Sequence, residues 1–258
     1  MGERTLMDRF SLEGRTIVIT GASSGLGAGF AHALASCGAN LALGARRADR
    51  LDAVAHGVRA STGQTVLTRV LDVTIPDDGS ALVAEAMDVF GRVDGLVNNA
   101  GLGTAVPARR ETPEEFRAVI EVNLEGAYWM AQACGRVMQQ GASIVNVSSV
   151  LALIRSYAPQ AAYSASKAGL IGLTRDLAQQ WSGRYGIRVN ALAPGYFRSE
   201  MTDDIPQDQL GDFITSTALL GRMGEQHELD AALLFLLSDA SSYITGTTLV
   251  VDGGMSTR

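Results

Sequence analysis

The chain has 258 residues, 47% of them hydrophobic, which suits one well-packed domain or two closely joined ones. A net charge of −6, with acidic and basic residues interspersed, argues against electrostatic nucleic-acid binding. Two cysteines cannot set up a rich disulfide framework, and three histidines far apart in sequence offer no metal-ligand spacing.

In chain order, MGERTLMDRF lacks the long apolar run of a signal peptide, and no later stretch approaches a membrane span. Cytoplasmic residence is the default expectation. A buried strand is predicted at 15–20, then the glycine-rich turn TGASSGLG at 20–27 and a helix through FAHALASCG. Strand 40–44, a helix from about Arg47 to Ser61, strand 65–71, a helix near 77–90 and strand 93–99 continue the alternation. A long helical region covers about 113–139, followed by strand 143–149, helix 161–183, strand 187–195, helix 227–238 and strand 247–254. Repeated strand–helix units with near-continuous apolar strands predict an α/β fold whose parallel sheet is covered on both faces. With no Pro/Gly-rich linker, 1–258 reads as a single domain, and 196–220 as a substrate lid within it. Cys37 and Cys134 fall in predicted helices and read as buried thiols.

The first strand is followed by Gly21, Gly25 and Gly27 in a G-x-x-x-G-x-G spacing, with Ser23, Ser24 and Leu26 between them. Small residues permit a tight turn in which phosphate approaches backbone N–H groups at a helix N-terminus. A purely structural glycine turn is the alternative. After the second strand, Ala45 and Arg46 stand where an acidic residue would ordinarily accept bonds from an adenosine ribose. Arg46, helped by Arg47, can instead pair with a 2′-phosphate, or the two can be a solvated pair. That points to NADP(H), with NAD(H) as the lesser alternative. Asp72 can accept the adenine amino group, with Val73 offering backbone contacts, or it can simply hold a turn. In NNAG at 98–101, Asn99 can bridge neighbouring strand ends, and Ala100 and Gly101 leave room for a cofactor.

Tyr163 and Lys167, four apart in YSASK, share a helix face. A nearby ammonium is expected to lower the phenol's pKa, making it a usable acid toward a carbonyl receiving hydride. Ser149, fourteen residues upstream of Tyr163 and just after a strand, can orient the substrate oxygen. The bland alternatives are an interface tyrosine and a solvated lysine. Asn123, between Val122 and Leu124, is a polar amide able to distort its helix and bind water near Lys167, or an ordinary helix residue. No G-x-S-x-G elbow surrounds Ser149, which disfavours a hydrolase. A regulator that binds NADPH without turnover is the competing class.

Through TGASSGLG, NNAG, Asn123, Ser149, YSASK and the Pro194–Gly195 pair, the chain resembles the classical short-chain dehydrogenase/reductase family from about residue 12 to Gly254. The resemblance implies a single Rossmann-like domain with a doubly wound sheet, and Asn123, Ser149, Tyr163 and Lys167 as a catalytic tetrad. It implies that Tyr163 is acid in reduction and base in oxidation, that Lys167 also holds ribose, and that Asn123 supports a water relay. Pro194, Gly195 and the Phe197 backbone are then expected beside nicotinamide, with Val122 and Ser199 as further cofactor neighbours. Ser199 stands where many members have Thr. The Ser149–Tyr163 interval is one residue longer than in many relatives. Family assembly suggests a homotetramer, or a dimer, through helices 113–139 and 161–183.

Besides Ser149 and Tyr163, the expected substrate-facing set is Leu151, Leu153, Ile154, Tyr196, Met201, Leu210, Phe213 and Ile214. Its apolar character favours a neutral or hydrophobic ketone or secondary alcohol. The APGYF stretch resembles one found in some sugar-acid oxidoreductases, which keeps sugar acids such as gluconate open, and 3-oxoacyl substrates remain a further alternative.

Overall fold

The computed structural model describes residues 5–198 and 207–257, and the side chains of these apart from residues 207–210. Seven strands form one sheet: β1 (Thr16–Thr20), β2 (Asn40–Ala45), β3 (Val66–Val70), β4 (Gly95–Asn98), β5 (Ser143–Val147), β6 (Arg188–Pro194) and β7 (Thr248–Val251). Their order is β3-β2-β1-β4-β5-β6-β7 and every pairing is parallel. The helices between them are α1 (Gly25–Ser36), α2 (Ala48–Thr62), α3 (Pro76–Phe90), α4 (Pro113–Ile120), α5 (Gly126–Gly135), α6 (Ala161–Tyr185), α7 (Gln207–Thr217) and α8 (Gln226–Leu237).

Parallel strands need crossovers, and crossover helices cover both faces of the sheet. The period-two alternation of the strands sorts their side chains accordingly. Ile17, Ile19, Leu41, Leu43, Val97 and Val145 pack on one face with Phe30 and Leu34 of α1, Leu51 and Ala55 of α2, and Leu229 and Leu233 of α8. Val18, Ala42, Leu96 and Ile144 face the other way, onto Leu82 of α3, Met130 and Cys134 of α5, and Leu177 of α6. Each such fully buried aliphatic contributes about 1.5–3 kcal/mol. An exposed ion pair like Arg92–Asp94 contributes about 1 kcal/mol or less, so the two apolar layers dominate stability.

The ends of helices follow local chemistry. Thr112 caps α4 in a reciprocal box with Glu115, and α6 stops where Gly186 takes a left-handed φ of 68°. At the edge of the sheet remote from the strand C-termini, Arg188 donates to the carbonyls of Leu236 and Ser238, and Arg15 to that of Leu237. They cap α8 where its dipole is negative. Burial, then the neighbouring Arg15, lowers Arg188 to about 10.

One predicted element is corrected. The 113–139 region is not a continuous helix: residues Glu121–Glu125 form a π turn between α4 and α5, and α5 ends at Gly135. Cys134 is buried as expected, whereas Cys37 sits just past α1 and is half-buried. On α6, Leu170 and Leu177 are core, while Ala168 is exposed. Among the described residues, no helix is long and apolar enough to cross a membrane.

Candidate active site

The strand order reverses direction of travel between β1 and β4, and the crevice at their C-terminal ends is where ligands collect in such sheets. Gly21, at φ 65°, turns the chain there; a Cβ on it would lie 2.7 Å from the Cα of Ala100. Gly27 is tighter still, since a Cβ would meet the Gly21 carbonyl oxygen at 2.3 Å and Asn99 Nδ2 at 2.5 Å. Asn99 stitches the two strand ends: its Nδ2 donates to the carbonyls of Thr20 and Gly21, both at 3.1 Å. The Thr20 hydroxyl in turn accepts from the backbone N–H groups of Asn99 and Ala100.

This cradle fits a dinucleotide. The first turn of α1 carries no acidic residue, and its N-cap Ser24 makes no side-chain capping bond, so the positive helix end is not offset locally. Arg47 donates to Ser24 Oγ at 2.6 Å, which ties it to the glycine-rich turn. Arg46 is exposed at the end of β2. Asp72 holds a turn: its Oδ1 accepts from the Thr74 backbone at 3.0 Å and the Thr74 hydroxyl at 2.7 Å. Those bonds, with a smaller pull from Arg46, hold its carboxyl below the ordinary value. Val73 packs against Gly126 at the start of α5.

The second cluster is built from side chains. Tyr163 and Lys167 lie on the first turns of α6, both buried, with Lys167 Nζ 5.7 Å from the centre of the Tyr163 ring. Lys167 Nζ donates to the Val147 carbonyl at the end of β5 at 2.8 Å, and Ser148 Oγ donates to the Lys167 carbonyl at 2.8 Å. Ser149, in extended backbone, hydrogen-bonds the Tyr163 phenol and accepts from the Leu151 N–H at 3.1 Å. A Cβ on Gly101 would sit 3.5 Å from Lys167 Nζ and 3.6 Å from Asn123 Oδ1, so these three residues face one another.

One expectation changes here. The phenol of Tyr163 was expected to fall; burial pushes it up instead, with the Ser149 hydrogen bond pulling part of the way back. Burial also lowers Lys167 to about 8, because a lone ammonium is costly away from water. Asn123 does distort its helix, since it lies in the π turn. Its Oδ1 accepts from Leu102 N–H at 2.7 Å, and its Nδ2 donates to the Leu102 carbonyl at 2.9 Å and Ser166 Oγ at 3.0 Å. These bonds brace the loop after β4 against α6.

Of the expected substrate-facing set, Leu151, Ile154, Tyr196, Phe213 and Ile214 share one apolar cluster with Tyr163, joined by Leu102, Val119 and Met255. Leu153 is 47% exposed and lies outside this cluster, because the short 3-10 turn Val150–Ala152 directs Leu151 inward instead. Pro194 ends β6; Gly195 passes so close to β7 that a Cβ would lie 2.7 Å from the Cα of Asp252. Phe197 pairs with Gly224 by a backbone bridge and sends its ring into the core under α1 and α8. Val122 packs against the sheet core. Ser199 and Met201 lie outside the described residues, as does the side chain of Leu210. Thr20 stood unused within the motif. Ser148 and Ser166 each flank a chosen residue, but nothing in their spacing marks them.

Fold and side chains together define a nucleotide-binding α/β oxidoreductase site, with a phosphate cradle at one end and a phenol–ammonium pair at the other. A family model described as enoyl-(acyl carrier protein) reductase matches residues 21–256. The chain is 39% identical over 246 residues to a 3-oxoacyl-[acyl-carrier-protein] reductase of Thermotoga maritima, covering 95% of this chain and 98% of the relative. It is 41% identical over 250 residues to a galactitol 2-dehydrogenase of Cereibacter sphaeroides, covering 95% and 96%. It superposes on the crystal structure of a gluconate 5-dehydrogenase from Burkholderia cenocepacia, in complex with NADP and tartrate, with a TM-score of 0.91 at 34% identity, covering 98% and 100% of the two chains. The chain belongs to the classical short-chain dehydrogenase/reductase family.

Proposed function

We propose that the protein is an NADP(H)-preferring oxidoreductase that interconverts a ketone and a secondary alcohol on a neutral or largely hydrophobic small molecule. The observation that carries this reading is the buried set of Ser149, Tyr163 and Lys167 opening onto the apolar cluster of Leu151, Ile154 and Phe213. When bound, the nicotinamide coenzyme supplies hydride for reduction or accepts it in oxidation. Gly21, Gly25 and Gly27 let its phosphates approach the backbone at α1, and Arg46 meets the 2′-phosphate, assisted by Arg47. Ser149 donates to the substrate oxygen. Tyr163 passes its phenolic proton to that oxygen as the carbonyl carbon gains hydride, and takes a proton from the alcohol in the reverse direction. A phenol held above its ordinary value is well suited to stay protonated until the oxygen becomes basic. Lys167 orients the ribose, and its charge favours the tyrosinate left behind. We further propose a homotetramer as the working assembly, with a dimer as the alternative.

The test is a screen of coenzyme consumption with NADPH and NADH against ketones, diketones and 3-oxoacyl esters, run in reverse with secondary alcohols and sugar acids. Turnover of apolar ketones with a preference for NADPH is expected. Selective turnover of gluconate-like acids or 3-oxoacyl esters would replace the proposed substrate class. Tyr163→Phe should lose roughly 10²–10⁴-fold in turnover while retaining coenzyme affinity. Near-normal turnover in that variant overturns the proton-transfer role, and tight NADPH binding with no turnover of any substrate favours a regulatory protein.

A further inference from the structure

The apolar cluster around Tyr163 contains a second phenol. Tyr196 follows the Pro194–Gly195 turn at the end of β6, and its backbone carbonyl accepts from Gly224 N–H at 3.0 Å. Gly195 on one side is bonded to Val251, and Phe197 on the other is bridged to Gly224, so the main chain at Tyr196 is fixed from both directions. Its ring meets Phe213 edge-on, centroids 5.6 Å apart at 72°, and Phe213 packs against Tyr157 at 4.9 Å. Tyr196 and Phe213 pack in the cluster with Leu151 and Ile154.

This phenol is poised to donate. Burial, then the neighbouring Tyr163, push it up to about 12, which keeps its proton in place at any ordinary pH. Among the described residues, the hydrogen bond of Tyr196 runs through its main chain. A tyrosine hydroxyl set in apolar surroundings ordinarily serves a partner. Tyr163 and Ser149 already account for the reacting oxygen. A wall of rings and aliphatics otherwise offers little to a polar substrate.

We propose that Tyr196 is a specificity-determining residue that donates a hydrogen bond to a second substrate oxygen, so that the preferred substrates are ketones bearing a neighbouring carbonyl or hydroxyl on an apolar frame. Tyr196 packs against the same cluster as Tyr163, so the second oxygen lies on the side of the substrate that this wall covers. This inference rests on the oxidoreductase reading above. A site built around a donor discriminates against an analogue that leaves the donor unpaired.

The experiment compares acetylbutyryl, a vicinal six-carbon diketone, with methyl butyl ketone, the same chain with one oxygen. The diketone is intrinsically more reactive, so the informative quantity is the change in the ratio of the two kcat/KM values on going from the wild-type protein to Tyr196→Phe. That ratio should fall roughly tenfold, with the melting temperature and coenzyme Kd held close to wild type. Tyr196→His keeps a ring donor and should recover part of the lost ratio, and it stands in should the phenylalanine variant not fold. An unchanged ratio in a folded variant overturns the inference while leaving the oxidoreductase intact, and an equal loss on both ketones does the same by assigning Tyr196 a purely structural part. No turnover of either ketone by the wild-type protein overturns the inference together with the reading on which it rests.

Discussion

The coenzyme end and the chemical end of the site lie at the same edge of the sheet but are made differently. At the coenzyme end the work falls to the main chain: Gly21 and Gly27 let backbone meet backbone, and Asn99 and Thr20 tie strand ends together by bonds to peptide groups. At the chemical end it falls to ionisable side chains held under a buried layer, where Tyr163 rises and Lys167 falls because water is excluded. A site made of backbone tolerates no added atom. A site made of buried ionisable groups carries a stability cost that a simpler residue would lift.

The sharpest way to separate the two regimes is Lys167→Met. Its turnover should drop at least 100-fold if Lys167 both holds ribose and supports Tyr163. Its stability should move the other way. Lys167 is lowered from 10.5 to about 8 in the folded protein, so at neutral pH the ammonium is penalised by folding on the order of 3 kcal/mol. Leaving the Val147 carbonyl without its donor returns about 1–3 kcal/mol of that. As pH rises through the interval from about 8 to 10.5, the wild-type lysine sheds its penalty, and the balance should shift toward the wild-type protein by about 2–3 kcal/mol. Denaturant titrations at neutral and alkaline pH measure this difference; a pH-independent gap would break the account of the chemical end. Tyr163 runs with the opposite sign, its folded form favoured below its ordinary value and losing that advantage above it, but it is common to both proteins.

Gly27→Ala tests the coenzyme end. A methyl 2.3 Å from the Gly21 carbonyl oxygen forces backbone to shift, costing roughly 1–3 kcal/mol of stability. Coenzyme affinity should weaken alongside, and calorimetry reads both. Retained affinity with a normal melting temperature would mean the cradle yields more easily than its packing implies. Arg46→Ala should have the smallest effect, narrowing the NADPH-over-NADH preference about tenfold through loss of one charged contact. An unchanged preference in kcat/KM sinks the role given to Arg46.

The two ends also differed in how far the chain alone disclosed them. Strand runs such as Thr16–Thr20 announce themselves because burial on both faces demands unbroken apolar sequence. Asn99 was legible as a bridge since its place after a strand leaves it little else to reach. The spacing of Tyr163 and Lys167 shows that they are neighbours but is silent on depth, and depth reversed the expected direction of the phenol. Asn123 hinted at a distorted helix, yet an extra residue within one turn leaves the apolar pattern on either side intact. Leu153 lies outside the cluster around Tyr163 for a similar reason: a 3-10 turn rotates residues by a different step than the helix or strand that flanking sequence suggests. Tyr157 lies on an irregular stretch with no period to read, and only the fold brings it against Phe213.

The π turn at Glu121–Glu125 works as a phase shifter in the longest helical passage before β5. Upstream, α4 delivers Val119 to the cluster around Tyr163; downstream, α5 delivers Met130, Ala131 and Cys134 to the sheet. Trimming the turn by one residue would restore an unbroken spiral only by swinging everything after it through about 100°, carrying either the site's wall or the sheet's cover to the wrong side. The irregular turn is therefore the clutch that lets one continuous rod serve two differently facing surfaces, with Asn123 locking it to Leu102 and Ser166.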